Sequence, residues 1–455
     1  MEKETTYGFN PTEWEHCLKV LSILKDNPFE NPDNEKFAGL ITKIHKNAKK
    51  NLRSTSESER KKADIETILN AELSKKALEG ESLFWDDTKK QHHFTELNSP
   101  KACYCCNETY TLAHSFYNRL CPSCADLNYE KRFQNQDLTN RNAIITGGRV
   151  KVGYATTLKL LRSNANVVLT TRFPALALEQ LAQESDYADW KNRLVVYGLD
   201  LRNLKAINEF ILFYKSKYES LDILINNATQ TIKYPDNYYQ PLIEKEQNLL
   251  IDWNSNPKLI ANSTPIFKEV KSLEYAKNEK TVVRLNRFGQ PVDSRDKTSW
   301  NSTLEEIELH ELIEVNLINQ IAPYVLIKEL KPLFNQSNFV EKFIVNVTSS
   351  EGMFSYTKKT IFHPHTNMTK AALNMMTLTS AKEFAESSIF MTSVDVGWIS
   401  TGAKESLREK QFENGYIPPL DSVDGASRIL DPIIQGINGT ILHGVLLKNY
   451  KVSSW

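Results

Sequence analysis

Five of the six cysteines, Cys103, Cys105, Cys106, Cys121 and Cys124, fall within 22 residues, while Cys17 stands alone. Cys103-x2-Cys106 and Cys121-x2-Cys124 are separated by 14 residues. A two-residue gap lets both thiolates of a knuckle face one ion, and two knuckles supply the four ligands of tetrahedral zinc. Four protein ligands leave no open coordination position, so the expectation is one structural zinc on Cys103, Cys106, Cys121 and Cys124. Cys105 is an alternative ligand in the first knuckle, and His114 is another. Lys101, Arg119, Lys131 and Arg132 flank the cluster but are offset by Glu108, Asp126 and Glu130, which gives no nucleic-acid footprint.

The segment around Cys121-Pro-Ser-Cys124 resembles zinc-ribbon and treble-clef modules. A RING-type module needs two zinc sites, and the further ligands are not visible in the sequence, so ubiquitin-ligase activity is not expected.

A second set of residues points to nucleotide chemistry. A β-rich run, Ala143–Thr146, leads into Thr146-Gly-Gly-Arg-Val-Lys-Val-Gly153 and then a helical stretch carrying Leu158, Leu160 and Leu161. A glycine turn between strand and helix presents backbone N–H groups and a positive helix terminus to a pyrophosphate. Downstream come Asp200-Leu201, Asn226-Asn227-Ala228, Asn316, Ser349 and Lys370, each beside a predicted strand or helix. In that order, these residues resemble the short-chain dehydrogenase/reductase family over residues 141–455.

The resemblance implies a role for each matching position. Thr146, Gly147, Val152 and Gly153 fall on the TGxxxGxG loop, with Gly147 and Gly153 as its turn and packing glycines. Asp200 and Leu201 fall where the family contacts adenine, and Asn227 and Ala228 where it supports the central strand. Asn316 matches the asparagine that holds a relay water, Ser349 the serine that orients the substrate carbonyl, and Lys370 the lysine that binds the nicotinamide ribose. Gly397, Ile399 and Thr401 match a loop near the nicotinamide and phosphates.

Charge indicates which dinucleotide. An acidic residue after the second strand of such a fold binds the ribose hydroxyls of NAD. Here Thr170-Thr171-Arg172 occupies that place, with Arg149 and Lys151 in the glycine loop. Guanidinium groups match phosphate geometry, so NADP(H) is expected in preference to NAD(H).

Three positions depart from the family pattern. Lys151 replaces the middle loop glycine, Thr229 follows Asn-Asn-Ala, and Thr366 stands four residues before Lys370 where the family has its catalytic tyrosine. An aliphatic hydroxyl is a far weaker acid than a phenol near a lysine cation. The neighbouring His363 and His365 are candidate replacements, since imidazole titrates near neutral pH. Tyr356 is a third candidate. The expected activity is an NADP(H)-dependent carbonyl reduction or alcohol oxidation with a non-standard proton relay. The alternative is a non-catalytic NADP(H)-binding sensor.

These groups need elements to hold them. Residues 1–98 are charge-rich and predicted helical, with stripes at Trp14, Leu18, Leu21, Leu24, then Phe37, Leu40, Ile41, Ile44, then Ile65, Ile68, Leu69, Leu73. The Ser-rich stretch 54–58 is expected to separate the last two stripes. Residues 99–130 form the cysteine module. From about 141, β-rich runs at 143–146, 167–171, 194–197, 223–225, 343–347, 390–394 and 441–447 alternate with helices, which predicts a doubly wound parallel α/β sheet. Residues 230–302 are too long for an ordinary connection and read as an insertion. Its Tyr234, Tyr238, Tyr239, Trp253, Tyr275, Arg284, Arg287, Arg295 and Trp300 suit substrate walls, a partner surface or the packing of a subdomain.

Composition limits the rest. The chain has 455 residues and 56 basic against 56 acidic side chains, which excludes a globally basic nucleic-acid binder. Apolar residues at 40% and charged residues at 25% fit a folded protein rather than a disordered one. The first residues show no cationic stretch running into an apolar core, and no apolar run reaches the roughly 18 residues of a membrane span. A cytoplasmic location, a small-molecule substrate, a protein partner for residues 1–130 and a homo-oligomer are the corresponding expectations.

Overall fold

The computed structural model describes residues 8–79, 88–253, 259–260, 293, 295–356, 359–399 and 405–455. The chain divides into two compact units, Met1–Asp64 and Ile65–Trp455.

In the first unit, α1 (Pro11–Leu24) opens with a capping box, in which Asn10 and Glu13 each accept the other's backbone N–H. Helix α2 (Asn34–Asn70) crosses the unit boundary. It runs unbroken through 54–58, where the sequence suggested a separator. Ser and Thr are only mildly poor helix formers, Thr55 donates to Asn51 four residues back, and Lys61 pairs with Glu57. The apolar stripes are present but Trp14, Leu18, Leu40 and Ile44 remain exposed.

The second unit begins with α3 (Glu72–Glu79) and a hairpin, β1 (Phe94–Ala102) against antiparallel β2 (Thr109–His114), followed by α4 (Pro122–Phe133). Strand β1 starts inside the stretch read as helical. The chain then alternates as β3 (Asn142–Thr146), α5 (Lys151–Arg162), β4 (Asn166–Thr171), α6 (Pro174–Leu181), α7 (Tyr187–Trp190), β5 (Leu194–Gly198), α8 (Leu204–Lys217) and β6 (Ile223–Asn226). Helix α9 (Gln240–Trp253) and β7 (Leu259–Ile260) lie in the insertion. The remainder is α10 (Leu309–Asn316), α11 (Ala322–Asn335), β8 (Lys342–Thr348), α12 (Pro364–Ala385), β9 (Ile389–Asp395), α13 (Glu405–Glu413), α14 (Ser422–Ile437), β10 (Leu446–Lys448) and β11 (Lys451–Ser453). The last predicted strand is shortened to β10, because Gly444 turns the chain with φ +66°.

The sheet order is β11-β10-β9-β8-β6-β3-β4-β5-β7, parallel at every pairing except β10 with β11. Alternating residues feed two cores. Ala143, Ile145, Val167, Leu169, Ile223 and Ile225 pack with α5, α6 and α14, whereas Ile144, Val168 and Leu224 pack with α8, α11 and α12. Burial on both faces explains the near-continuous apolar strands. Winding reverses between β3 and its neighbours β4 and β6, which opens a crevice at the carboxyl ends of the strands. No helix among the described residues is long and apolar enough to cross a membrane.

The cysteine module is joined to α14 by buried charge. Arg132 makes two hydrogen bonds to Asp421, at 2.6 and 2.9 Å, and lies 3.0 Å from Asp424. Tyr117 donates to Asp424 at 2.6 Å, and Lys131 to Asp431 at 2.6 Å. Asp421 is also the N-cap of α14, accepting from the Val423 and Asp424 amides. Removing one partner from such a set leaves the others desolvated and unpaired. Arg132→Ala is therefore expected to cost about 3–5 kcal/mol in urea unfolding, well beyond a surface arginine change.

Candidate dinucleotide and catalytic site

The glycine loop leaves the end of β3. Gly147 has φ +68°, a region open to glycine. A methyl group on Gly153 would lie 2.1 Å from the Gly147 carbonyl oxygen and 2.6 Å from Asn227 Nδ2. Asn227 locks the arrangement, since its Nδ2 donates to the Thr146 and Gly147 carbonyls at 3.0 and 3.2 Å. The Asn227 and Ala228 amides both donate to Thr146 Oγ1 at 3.0 Å. The ends of β3 and β6 are thus bound together beside the N-terminus of α5. Lys151 keeps a left-handed backbone, φ +50°, in place of the expected glycine. That conformation costs a side-chain-bearing residue roughly 1–2 kcal/mol; Lys151 is exposed as a residue, while packing around its ammonium lowers its pKa.

Two arginines belong to this region, Arg149 within the loop and Arg172 after the neighbouring strand. Arg172, directly after β4, lies over the Tyr239 ring at 4.4 Å, and Arg149 lies over Phe173 at 5.4 Å. Arg149 is buried, and burial together with the neighbouring Arg172 charge lowers its pKa to about 10. Glu246 of α9 accepts the Ala175 and Leu176 amides at 2.7 and 2.8 Å, in the first turn of α6. Asp200 is engaged by Arg202 at 2.6 Å, and Arg202 also reaches Glu314 at 2.7 Å. Burial raises the Asp200 carboxyl, but the Arg202 hydrogen bonds and charge outweigh it and hold the group below its ordinary value. Leu201 is buried beside it.

Lys370 is buried on α12, and its ammonium donates to the Val347 carbonyl at 2.8 Å. Burial lowers its pKa to about 8 against the opposing charges of Glu351 and Asp395. Ser349 follows β8 and leads into a tight turn, Ser350–Gly352. Asn316 ends α10, donating to Leu312 at 2.7 Å and accepting from Gln320 at 2.6 Å. A single wide turn, Leu317–Ile321, follows with i→i+5 bonding, a feature enriched at functional positions.

Thr366 lies one turn before Lys370 on α12. Thr366 is buried, and its hydroxyl donates to the His363 carbonyl at 2.9 Å. His365 is buried with Nε2 3.2 Å from Glu311 Oε1. His363 has Nδ1 2.8 Å from the Trp300 carbonyl and stacks on that indole at 4.3 Å. Among the described residues, no hydrogen bond joins either imidazole to Lys370. Tyr356 is exposed under the Lys448 ammonium, 5.6 Å from its ring. Gly397 has φ +83°, its amide donates to Asp395 at 2.9 Å, and Ile399 packs on Gly425 of α14. Thr401, Tyr275, Arg284, Arg287 and the Trp253 side chain lie outside the described residues.

The four paired cysteines converge. The Sγ atoms of Cys103, Cys106, Cys121 and Cys124 all lie within 4.8 Å of one another, with Cys106 and Cys121 3.7 Å apart. Tetrahedral thiolates about 2.3 Å from zinc sit about 3.8 Å from each other, so the set fits that ion. Cys105 is outside the group, 3.9 Å from Asn128 Nδ2. His114 is outside it too, in a second group with His92 and Asp126. His114 Nδ1 accepts the Phe116 and Tyr117 amides at 2.9 and 3.3 Å, which leaves its proton on Nε2. Nε2 then has no lone pair for an ion, so this imidazole serves to cap the turn after β2.

Comparison with known proteins adds to this geometry. The profile of the family described as short chain dehydrogenase matches residues 141–258, which hold the glycine loop, Arg172, Asp200 and Asn227. The chain belongs to the short-chain dehydrogenase family. This dehydrogenase-family chain is 31% identical over 354 residues to an uncharacterised protein of Acanthamoeba polyphaga mimivirus, covering 74% of this chain and 72% of that one. It is 36% identical over 93 residues to (+)-neomenthol dehydrogenase of Capsicum annuum, a match spanning 20% of this chain but 29% of that enzyme. Against the NADPH-bound carbonyl reductase of chicken fatty liver the identity is 18% and the TM-score 0.43, over 70% of this chain and all of that one.

Several residues of this candidate site carried little signal in the sequence. Asn319 is buried, pairs with both the Gln230 amide and carbonyl, and donates to Thr369 at 3.0 Å beside Lys370. Asp395 ends β9 and gathers Ser350, the Gly397 amide and Lys448. Their only sequence signal was proximity, Asn319 to Asn316 and Asp395 to Gly397. Glu311 and Glu246 are surface-like in sequence and gained meaning only from their partners. The closest packing supplies a test. Gly153→Ala forces a methyl group against backbone oxygen, and its thermal unfolding is expected to show a loss of about 1–3 kcal/mol.

Proposed function

We propose that this chain is a cytoplasmic NADP(H)-dependent oxidoreductase that reduces a small-molecule carbonyl or oxidises the matching alcohol. The observation that carries the reading is the pairing of Arg149 and Arg172 beside a glycine loop locked by Asn227. Thr146, Gly147, Val152, Gly153 and the N-terminus of α5 would hold the pyrophosphate. Arg149, Arg172 and the exposed Lys151 would favour a 2′-phosphate over the bare ribose of NAD(H). Asp200, Leu201, Ala228, Gly397, Ile399 and Thr401 complete the contacts that the family pattern implies. When bound, the dinucleotide supplies or accepts the hydride.

The chain must then orient the carbonyl and move one proton. Ser349 is proposed to orient the carbonyl, and Asn316 to hold water on the path to solvent. Thr366 has already committed its hydroxyl to a backbone carbonyl. His365 has its Nε2 3.2 Å from Glu311 Oε1, an ion pair when the imidazole is protonated. Lys370 is the better proton source, because burial tunes its ammonium toward neutral pH. The four cysteines are proposed to hold one structural zinc with no open position for substrate.

A second reading is a dinucleotide-binding sensor, with residues 1–130 contacting a protein partner. It is favoured by the commitment of Thr366 and Lys370 to backbone carbonyls.

A carbonyl panel with NADPH across pH separates the two readings. Reduction needs protonated Lys370, a form present below a pKa of about 8 and lost above it. For the enzyme, kcat/KM is expected to be flat below that value and to fall about tenfold per pH unit above it. Lys370→Ala should abolish the rate, and His365→Asn should leave the profile in place. NADPH binding without turnover, restored by Thr366→Tyr, would establish the sensor instead.

A further inference from the structure

The cysteine module touches the dinucleotide site at a point no family pattern covers. Tyr104 sits one residue after Cys103, and its phenol oxygen accepts the Trp398 amide at 2.7 Å. Trp398 lies between Gly397 and Ile399, in the loop that follows β9. A methyl group on Gly397 would lie 3.3 Å from the Tyr104 oxygen and 2.6 Å from Leu420, so the loop is clasped from two sides. Arg119, two residues before Cys121, lies over both the Trp398 and Tyr416 rings at 5.2 Å. The Tyr104 amide donates to the Arg119 carbonyl at 3.0 Å.

Tyr104 and Arg119 therefore form a clamp on one tryptophan, and each follows or precedes a cysteine of the cluster. An ion shared by Cys103 and Cys121 would fix the spacing of the two jaws. A second route runs through α14. Arg132 and Tyr117 anchor its first turn, and the same turn places Gly425 against Ile399 and against Val152 of the glycine loop. The module thus reaches both loops that border the crevice at the strand ends.

We infer that the cysteine module is the outer wall of the dinucleotide site, with Tyr104 as a positioning residue for residues 396–399. Metal and dinucleotide then bind cooperatively. This rests on the NADP(H) and zinc readings above and adds a coupling that neither requires. Because coupling free energies are reciprocal, NADPH must raise zinc affinity by the factor by which zinc raises NADPH affinity.

The test uses the full-length protein, with zinc affinity measured by competition against a chromophoric chelator, with and without saturating NADPH. Zinc is expected to bind at least about threefold tighter in the presence of NADPH. Tyr104→Phe keeps the ring and removes the acceptor for the Trp398 amide. It should weaken NADPH binding by about threefold to tenfold, cancel the NADPH effect on zinc, and leave zinc content unchanged. Equal zinc affinity with and without NADPH, or wild-type NADPH affinity in Tyr104→Phe, would overturn the inference while the dinucleotide reading stands. No saturable NADPH fluorescence change in the unaltered protein would overturn both. Purified protein that holds no zinc would overturn the zinc reading and the coupling together, while the dinucleotide reading stands.

Discussion

There is no room for a methyl group between the Gly153 Cα and the Gly147 carbonyl, and the architecture around the crevice follows from that contact. It brings the first turn of α5 against the end of β3, so the amides of a helix terminus lie beside a strand end. Asn227 then ties β6 to the same loop through four hydrogen bonds shared with Ala228. The reversal of strand order at β3 keeps the space above it free of a crossover helix. Lys151 shows how firmly the geometry is set, because a lysine adopts the left-handed backbone that a glycine would take freely.

Burial has a second consequence at Lys370. The side chain is enclosed with one backbone carbonyl as its hydrogen-bond partner, and its charged form is disfavoured there despite Glu351 and Asp395. With threonine at 366, an aliphatic hydroxyl replaces the family's phenol, and that hydroxyl is turned inward to the His363 carbonyl. The two imidazoles are drawn to Glu311 and Trp300, both near or within the insertion boundary. The proton chemistry proposed for this chain accordingly rests on a lysine rather than on the histidines that adjacency in sequence first suggested.

The sheet was legible because its strands are buried on both faces and read as short apolar runs between helical stripes. The thiol set was legible because a two-residue knuckle spacing has few other uses. Elements governed by long-range partners were not legible. Nothing in Tyr104-Cys-Cys106 indicates that the tyrosine reaches Trp398, nearly 300 positions away. Glu246 looks like one more charged residue of an insertion helix, yet it supplies the acceptors for the first turn of α6. Serines at 54–58 suggested a break, but on a solvated helix their low propensity is too small to end it.

The proposed 2′-phosphate-selective dinucleotide site is assembled from the Gly147–Gly153 loop, Arg149 and Arg172. Calorimetric titration of the full-length protein with NADPH and with NADH tests it most directly. One saturable NADPH site per chain is expected, at least about tenfold tighter than NADH, as two guanidinium contacts to a phosphate would give. Equal affinity for both dinucleotides, tighter NADH, or no heat from either would contradict it.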